Sequence, residues 1–410
     1  MTDEVKDDIV HVTRLGAQGD GVVETPEGPV YLPYALPGER WRMRGGEPLE
    51  RVSESRDRSQ PVCRHFGQCG GCVAQHMSPD LYRRWKETAL VEAFAHRGIE
   101  ITPEPMRSVA LQSRRRAFFG VARRGEEVVL GFREEGRHTL VDLAECPVLD
   151  PLIVESLPLL RQLAAMALPD GAGGRLLVTR AESGLDIAIE NGQARLGPGQ
   201  SATLAQWAAQ GPIQRLTVFK DVIYLDRVPT VLLGGVRVEL PPGAFLQAVP
   251  EAEAAMAELV LGAVGKVKSA ADLFSGLGTF TFPLARKARV LGVDSDRRSI
   301  AALEKAARAA PGRKPITARV RDLMREPLSR LELDEFGAVV IDPPRAGAKA
   351  QAEMLARCRV PTIVMVSCNP ATAARDARIL IDGGYRLETV TPIDQFLYSA
   401  HLELVAIFRH

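Results

Sequence analysis

The pattern of apolar and polar residues divides the chain into two parts with different periodicities. From about residue 236 onwards, continuous apolar runs such as Arg289–Asp294 and Thr362–Ser367 alternate with helical patterns. Strands that are apolar on both sides are typical of a parallel sheet covered by helices on both faces. Before residue 236, apolar and polar residues mostly alternate between glycine-rich turns, which indicates short antiparallel strands. The sequence therefore predicts an α/β protein in which mainly β regions precede a doubly wound domain.

The same patterns predict three domains and the elements that join them. We expect a small OB-like β-barrel over residues 1–58, a central, mostly β domain over 59–235 and the doubly wound α/β domain over 236–410. A helix over 78–97, begun by Ser78 and Pro79, carries an apolar stripe that we expect to pack on the α/β domain. A helix over 150–166 should be kinked or split near Pro158. Two late strands, over 387–390 and 402–408, could form an antiparallel hairpin at the sheet edge.

Composition narrows the class of protein without identifying it. The chain has 410 residues, of which 46% are hydrophobic and 25% charged, as in soluble globular proteins. No apolar run approaches the roughly 20 residues that span a bilayer, and the polar N-terminus lacks a signal peptide, so a cytoplasmic protein is expected. The net charge of +1 hides local arginine clusters, such as 114–116 and 123–124. Such clusters can bind phosphates, although neighbouring glutamates could equally pair with them on a solvated face.

Cys368 stands between a buried strand and a helix. The strand over 362–367 ends directly before it, and Asn369 and Pro370 are typical of the first positions of a helix. Unpaired N–H groups and the helix dipole stabilise an anion there, so this position favours the thiolate. This stretch alone predicts either a nucleophile or a small buried thiol.

Four of the six cysteines form a candidate metal site. Cys63, Cys69 and Cys72 follow a C-x5-C-x2-C pattern, and Cys146 stands further on, directly before a proline. Four thiolates complete a 4Fe-4S cluster, and a final cysteine followed by proline is typical of ferredoxin runs. Zinc more often uses two short C-x-x-C pairs and ranks second. Disulfides rank third because the protein is expected in a reducing compartment.

Acidic or glycine-rich turns end successive strands of the predicted sheet. The turn from Asp272 contains Gly276 and Gly278, which allow close approach to a ligand, but no lysine for a triphosphate. Ligands of open α/β sheets bind at the carboxyl ends of the strands, where Asp294 would accept hydrogen bonds from ribose hydroxyls. Asp322 would lie near adenine, and Asp342 precedes a Pro-Pro turn. This order indicates a site for S-adenosyl-L-methionine.

The motifs together resemble one family of RNA-modifying enzymes. Residues 14–22 and 34–39 resemble a TRAM domain, an OB-like barrel that can bind RNA. With the cysteine pattern, Asp342-Pro-Pro-Arg-Ala-Gly347 and Val366-Ser-Cys-Asn-Pro-Ala-Thr372, the chain resembles the RNA uridine-5-methyltransferases. It is most similar to their iron–sulfur branch, which modifies large-subunit ribosomal RNA. The resemblance implies a TRAM barrel, a central iron–sulfur and RNA-binding domain and a Rossmann-like methyltransferase domain.

The resemblance also implies roles for individual residues. Cys368 matches the nucleophile and Glu403 the general base. The 4Fe-4S cluster would be held by Cys63, Cys69, Cys72 and Cys146. Positions that contact the methyl donor or the base match Gln247, Phe274, Gly276, Gly278, Thr279, Asp294, Asp322 and Asp342. Asp342 could contact either of them. The target base must leave its RNA stack, and Phe245 could stack on it.

The function implied is methyl transfer from S-adenosyl-L-methionine to carbon 5 of a uridine in 23S rRNA. The same chemistry on tRNA is one alternative, and a non-catalytic iron–sulfur RNA-binding protein is another. Neither a membrane nor an obligate protein partner is expected. Four positions depart from the family's common pattern, namely Asp294 in place of Glu, Ser275 in place of Cys, Val249-Pro250 in place of Val-Asn and Leu397 in place of Pro. They remove no chemical group that the mechanism needs, but they weaken any inference about which uridine is modified.

Overall fold

A computed structural model describes residues 7–190 and 195–410 of the chain. Residues 1–6, which belong to the polar segment expected to lack a signal peptide, lie outside the described residues. Across the two described ranges, no helix is long and apolar enough to cross a membrane. The protein is a mixed α/β protein with three principal regions.

The N-terminal region consists of two three-stranded antiparallel sheets with the orders β1-β5-β6 and β2-β3-β4. The strands are β1 Asp7–His11, β2 Arg14–Leu15, β3 Gly21–Thr25, β4 Gly28–Leu32, β5 Arg40–Arg44 and β6 Glu47–Ser53. The connection between β4 and β5 approaches β3 closely at Gly21, where a Cβ atom would lie 2.7 Å from the carbonyl oxygen of Ala35. The buried carboxylate of Glu39 pairs with Arg58 at 2.6 Å, and this pair joins the sheets to the next segment.

Helix α1 (Pro79–Ala95) connects the N-terminal sheets to the catalytic region. The Ser78 hydroxyl accepts a hydrogen bond from the Leu81 N–H group, which confirms the predicted helix start. Near the beginning of the helix, the Trp85 indole donates a 2.8 Å hydrogen bond to the Gly16 carbonyl. Near its end, Leu90 and Phe94 are buried in the core of the catalytic sheet. One helix thus fixes two regions to each other.

The central region is a seven-stranded sheet with the order β10-β9-β8-β11-β12-β13-β14, in which only the β12–β13 pair is parallel among the described strands. Its strands are β8 Arg116–Arg124, β9 Glu127–Arg133, β10 Leu140–Asp142, β11 Gly173–Ala181, β12 Gly184–Glu190, β13 Ile213–Val218 and β14 Asp221–Leu225. Its helices are α2 Pro151–Glu155, α3 Leu157–Ala167 and α4 Pro198–Ala208. The break between α2 and α3 at Ser156 confirms the predicted split near Pro158.

The catalytic region is an eight-stranded sheet with the order β19-β18-β17-β20-β21-β23-β22-β7. Its strands are β7 Arg107–Ser108, β17 Ser269–Leu273, β18 Arg289–Asp294, β19 Ile316–Val320, β20 Ala338–Ile341, β21 Thr362–Ser367, β22 Arg386–Asp394 and β23 Glu403–Arg409. A separate hairpin, β15 Thr230–Leu233 and β16 Val236–Glu239, precedes it. The helices are α5 Pro250–Val264, α6 Thr281–Leu284, α7 Arg297–Arg308, α8 Arg330–Leu333, α9 Lys349–Leu355 and α10 Pro370–Asp382.

The last two strands form the predicted antiparallel pair, but their predicted place at the sheet edge is wrong. Strand β23 lies between β21 and β22, and the short strand β7 pairs with β22 on the outer side. Apolar patterns predict strands but not their order, so β7 could not be anticipated from the sequence. Five strands, β17 to β21, are parallel neighbours, and their carboxyl ends therefore meet at one edge.

Candidate active site

A cavity of about 600 Å³ opens at this edge of the sheet. It is lined by nine of the ten residues to which sequence reasoning assigned catalysis or methyl-donor binding. These are Gln247, Phe274, Gly276, Thr279, Asp294, Asp322, Asp342, Cys368 and Glu403. The tenth, Gly278, lies in the turn beneath the cavity wall. Residues from seven separate strand ends and loops thus converge on one space, as the order of strand ends predicted.

The turn after β17 has a backbone that few side chains permit. Gly276 and Gly278 have φ angles of 52° and 100°, and Phe274 also has a positive φ of 63°. A Cβ atom at Gly278 would lie 2.7 Å from the Phe282 ring, whereas one at Gly276 would meet no atom. Gly278 is therefore required for packing, and Gly276 leaves the cavity open.

Two carboxylates line the cavity beyond this turn. Asp294 accepts hydrogen bonds from the Gly276 N–H group at 2.9 Å and from the Asp296 N–H group at 2.8 Å. It therefore holds the β17 turn against the end of β18. Asp322 accepts a 3.0 Å hydrogen bond from the Met324 N–H group just after β19. Both retain acceptor capacity towards hydroxyl or amino groups in the cavity.

Asp272, at the base of the turn, is fully buried. The Thr281 hydroxyl donates to one carboxyl oxygen at 2.5 Å, while the other has no hydrogen-bond partner among the described residues. Burial raises the pKa of Asp272 to about 7. The hydroxyl of Ser275 is likewise buried and unpartnered. Ser275 lines the cavity, and Asp272 lies three residues before it in β17, so polar atoms without partners occur at and next to the cavity wall.

Cys368 follows β21 and precedes α10, as predicted. The Asn369 side chain accepts a 3.1 Å hydrogen bond from the Ala371 N–H group and so caps the helix. The Asn369 amide and the Thr372 hydroxyl each donate to the Arg345 carbonyl at 3.2 Å. The loops that carry Asp342 and Cys368 are therefore fixed to each other.

The electrostatic environment of Cys368 differs from the prediction. The helix N-terminus was expected to stabilise the thiolate, but the pKa of Cys368 is raised to about 11. The main cause is burial, and the carboxyl groups of Glu403 and Asp342 add to it, while Arg345 opposes them. The prediction of a thiolate favoured in the free protein is wrong, because a short-range dipole does not offset burial beside two acids.

Two glutamines connect the acids. The Gln247 side chain donates a 3.1 Å hydrogen bond to Asp342, and the Gln395 side-chain amide donates to the side-chain oxygen of Gln247 at 2.9 Å and to Glu403 at 2.8 Å. Sequence reasoning missed Gln395. The only local signal was a polar residue between Asp394 and Phe396, at the end of an apolar strand.

The two acids interact with each other across this chain of amides. Burial raises the pKa of Glu403 to about 8, and the carboxyl group of Asp342 adds to the shift. Burial likewise raises the pKa of Asp342 to about 7, with Gln247 opposing and Asp294 reinforcing the change. Leu404 lies opposite Ser367 in the β21–β23 pair, so Glu403 is the neighbour of Cys368 across the strands. A proton acceptor and a thiol thus share one buried space.

A buried lysine holds the loop between β22 and β23. Lys86 of α1 pairs with Asp394 and donates to the carbonyl groups of Phe396, at 3.2 Å, and His401, at 2.9 Å. The Tyr82 hydroxyl donates to the same aspartate at 2.6 Å. Both Phe396 and His401 line the cavity. No sequence pattern indicates this connection, because Lys86 and Asp394 are 308 positions apart.

The four predicted cluster cysteines lie near one another. Burial raises the pKa of Cys63, Cys69 and Cys72, that of Cys72 to about 12, and the charge of a Cys146 thiolate would add to each shift. All four are free thiols. Within residues 7–190 and 195–410, however, no three His, Cys, Asp or Glu side chains are arranged to hold a metal ion. The structure therefore brings the thiols together without forming a single-ion site.

The cysteine site and the cavity are adjacent. The N–H groups of Val73 and Ala74, directly after Cys72, donate to the Tyr398 carbonyl at 2.7 and 3.1 Å. On the other side, Arg114 interacts electrostatically with Cys146 and Cys72 and lies 5.8 Å from the centroid of the Phe396 ring. The loop that contributes Phe396 and His401 to the cavity is therefore fixed by contacts with residues at the cysteine site.

Comparison with known proteins decides the family. Residues 214–409 match the family model described as tRNA (Uracil-5-)-methyltransferase. An RNA methyltransferase of Brucella suis is 42% identical over 402 residues, covering 97% of both chains. The 23S rRNA (uracil(1939)-C(5))-methyltransferase RlmD of Chromohalobacter salexigens is 32% identical, over 98% of this chain and 89% of its own. The chain belongs to the RNA uracil-5-methyltransferase family. It is an S-adenosyl-L-methionine-dependent RNA (uracil-C5)-methyltransferase, as the sequence predicted.

One solved structure shares the fold along almost the whole chain. The tRNA (uracil-54, C5)-methyltransferase of Pyrococcus abyssi, in complex with S-adenosyl-L-homocysteine, has a TM-score of 0.74 and covers 98% of this chain and 99% of its own. The two sequences are 23% identical, so this likeness concerns the fold alone.

Proposed function

We propose that this methyltransferase modifies a uridine of 23S rRNA through a covalent adduct between Cys368 and carbon 6 of the base. The observation that carries the mechanism is that Cys368, Glu403 and the β17 turn line one cavity. The ribosomal target is supported by the relative RlmD, which is 32% identical across 98% of this chain. Methylation of tRNA is the second candidate, because the description of the matching family model names tRNA.

The chemistry requires both a nucleophile and a base. Carbon 5 of uracil is too weak a nucleophile to attack a methyl sulfonium unaided. Addition of the Cys368 thiolate to carbon 6 forms an enolate, whose carbon 5 takes the methyl group. Glu403 then removes the proton from carbon 5, and elimination breaks the bond between sulfur and carbon 6. The products are 5-methyluridine, S-adenosyl-L-homocysteine and the free thiol.

The raised pKa values suit a site that becomes active when the methyl donor binds. Neighbouring negative charge contributes to the raised pKa values of Asp342, Glu403 and Cys368. A positive charge in the cavity would oppose this effect and stabilise their ionised forms. S-adenosyl-L-methionine supplies an electrophilic methyl group on a cationic sulfur. Donor binding would therefore lower the pKa of the thiol and of the base before the RNA reacts.

The remaining cavity residues would hold the donor and the base. Asp294 would accept hydrogen bonds from the ribose and Asp322 would lie near adenine, as their positions after β18 and β19 suggest. Gln247 would orient Asp342 towards the base or the amino group of the donor. Phe274, Gly276, Gly278 and Thr279 would shape the turn against the donor.

We further propose that Cys63, Cys69, Cys72 and Cys146 hold a 4Fe-4S cluster. The four thiols interact electrostatically with one another, as four ligands of one cluster would. Bound iron would stabilise the thiolates against the effect of burial. No part of the methyl transfer needs this cluster. Its role would be to fix the segment after Cys72, which holds the Tyr398 carbonyl and hence the cavity loop.

Substitution of the nucleophile tests the mechanism. Cys368→Ala should abolish transfer of labelled methyl to RNA while S-adenosyl-L-methionine still binds. Cys358→Ala is the matched control, since Cys358 is a buried free thiol that does not line the cavity. Full activity of Cys368→Ala would exclude the covalent route. Mapping 5-methyluridine in 23S rRNA and tRNA from cells without this protein would separate the two candidate substrates.

A further inference from the structure

Phenylalanine and arginine side chains alternate in a series that leads out of the cavity. The Arg116 guanidinium lies 5.6 Å from the Phe245 ring centroid and 4.7 Å from that of Phe118. The Arg175 guanidinium lies 5.3 Å from the centroid of the Phe118 ring as well. Phe245, Arg116 and Phe118 line the cavity, whereas Arg175 lies beyond it on β11. We call these four residues the aromatic–arginine ladder.

The two rings of the ladder are unusually exposed for their size. Phe245 is 65% exposed and Phe118 is 42% exposed, while no other phenylalanine stands among the exposed large hydrophobic residues of the described chain. Phe118 belongs to the central sheet and Phe245 to the segment before α5. Two regions of the protein therefore each contribute one exposed ring to the same surface, next to the candidate catalytic cavity. Exposed aromatic surface at such a place is typical of a binding site.

Arg116 has unused hydrogen-bonding capacity within this ladder. Its Nε–H group is buried and has no partner among the described residues. Buried donors are normally paired, so an unpaired one beside a cavity indicates a missing acceptor. Burial, together with Arg114 and Arg115, lowers the pKa of Arg116 to about 10, so the side chain is still a cation at neutral pH. A phosphate or a base carbonyl would supply the acceptor.

We propose that the aromatic–arginine ladder binds the unpaired nucleotides that directly adjoin the target uridine. Their bases would stack on Phe245 and Phe118, and a phosphate or carbonyl oxygen would accept from Arg116. Rings interleaved with guanidinium groups are suited to single strands, because a base in a duplex has no free face to stack. This inference rests on the proposed function, because it assumes that the target uridine enters the cavity past the aromatic–arginine ladder. The new element is that the RNA must be single-stranded on one side of that uridine.

Binding of short RNA by ladder variants tests this inference. The probes are a fluorescent single-stranded oligouridine and an RNA duplex of equal length. Phe118→Ala should weaken single-strand binding about tenfold while duplex affinity is unchanged, because one stacking contact is lost. Phe118→Trp should retain the affinity. Val222→Ala is the matched control, since Val222 is 50% exposed on β14, at the far edge of the same sheet.

Other outcomes would overturn the inference. If Phe118→Ala binds the single strand as well as Val222→Ala does, the ladder makes no stacking contact. An equal loss for single strand and duplex would mean that the surface recognises charge or shape, and binding of neither probe would point to a protein partner. Methyl transfer to cellular RNA by the unaltered protein separates these failures from a failure of the proposed function, because that reaction tests the latter directly.

Discussion

The side-chain amide of Gln395 donates a hydrogen bond of 2.8 Å to the carboxyl group of Glu403. The same amide donates to Gln247, which in turn donates to Asp342. The orientation of the candidate base therefore depends on a residue that makes no part of the cavity wall. A buried carboxyl group that loses its donor becomes harder to ionise.

We expect Gln395→Met to lower the methyl-transfer rate at neutral pH by about tenfold, a typical size for a misplaced general base. The hydrogen bond from Gln395 lowers the pKa of Glu403, so its loss should move the rising part of the pH–rate profile to higher pH. Gln351→Met is the control, because Gln351 is also fully buried and hydrogen-bonded but pairs with Leu328 away from the cavity. An unshifted profile would exclude a positioning role for Gln395.

The rate of methyl transfer should rise with pH in the neutral to alkaline range. In the proposed mechanism, Glu403 must be ionised to accept a proton, and its pKa is raised to about 8. In the same mechanism, Cys368 must be ionised to attack, and its pKa is raised to about 11, so both requirements act in the same direction. The measurement is kcat/KM against pH, which reports the groups of the free enzyme. A rate that falls between about pH 7 and about pH 9 would contradict these assignments.

The carboxyl group of Glu403 should make the folded protein less stable at high pH. The pKa of Glu403 is raised from 4.5 to about 8 on folding, so its contribution is fully present below about pH 4.5 and is lost as the pH rises through about 8. Glu403→Gln has no carboxyl group to ionise and so does not lose stability in this way. The difference between its melting temperature and that of the unaltered protein should therefore shift in favour of the variant as the pH rises. Melting without methyl donor at several pH values measures the difference. Glu258→Gln, whose side chain is 71% exposed, should show no such trend.

Removal of Lys86 should destabilise the protein strongly. Lys86→Met leaves the buried carboxylate of Asp394 without its cation, which typically costs about 3–5 kcal/mol. Replacing both partners, as Lys86→Met with Asp394→Leu, should cost less than the single change, because no charge is then left unpaired. Urea denaturation of the three proteins measures this order. A single variant as stable as the unaltered protein would show that the pair does not hold the loop.

Protein purified without oxygen should contain about four iron atoms per chain and absorb broadly in the visible range, as 4Fe-4S clusters do. Cys72→Ala should lose most of the iron, because one of four ligands is missing. Cys358→Ala should keep it, since Cys358 lies apart from the four cysteines in the catalytic core. Absence of iron from protein purified without oxygen would contradict the proposed cluster, and one zinc ion per chain in its place would indicate a zinc site instead.

The sequence predicted the site best where a local pattern determines the structure. Cys368 and Asp342 could be assigned to strand ends because buried parallel strands are continuous apolar runs with clear limits. The order of β23 and β22 was not predictable, since it depends on which long-range pairing buries the most surface. Gln395 and Lys86 were missed for the same reason, as their partners are distant in the chain. The raised pKa of Cys368 follows from burial beside two acids, which only the folded structure reveals.

The position of β23 in the sheet also affects when the active site can form during synthesis of the chain. The strand carrying Glu403 lies between β21 and β22, both of which leave the ribosome before it. A growing chain that has reached only β22 would have Cys368 and the β17 turn but an open slot where the candidate base belongs. Until β23 enters that slot, the nascent protein could not complete the proposed turnover. Activity would thus begin only once β23 has paired with both of its neighbours.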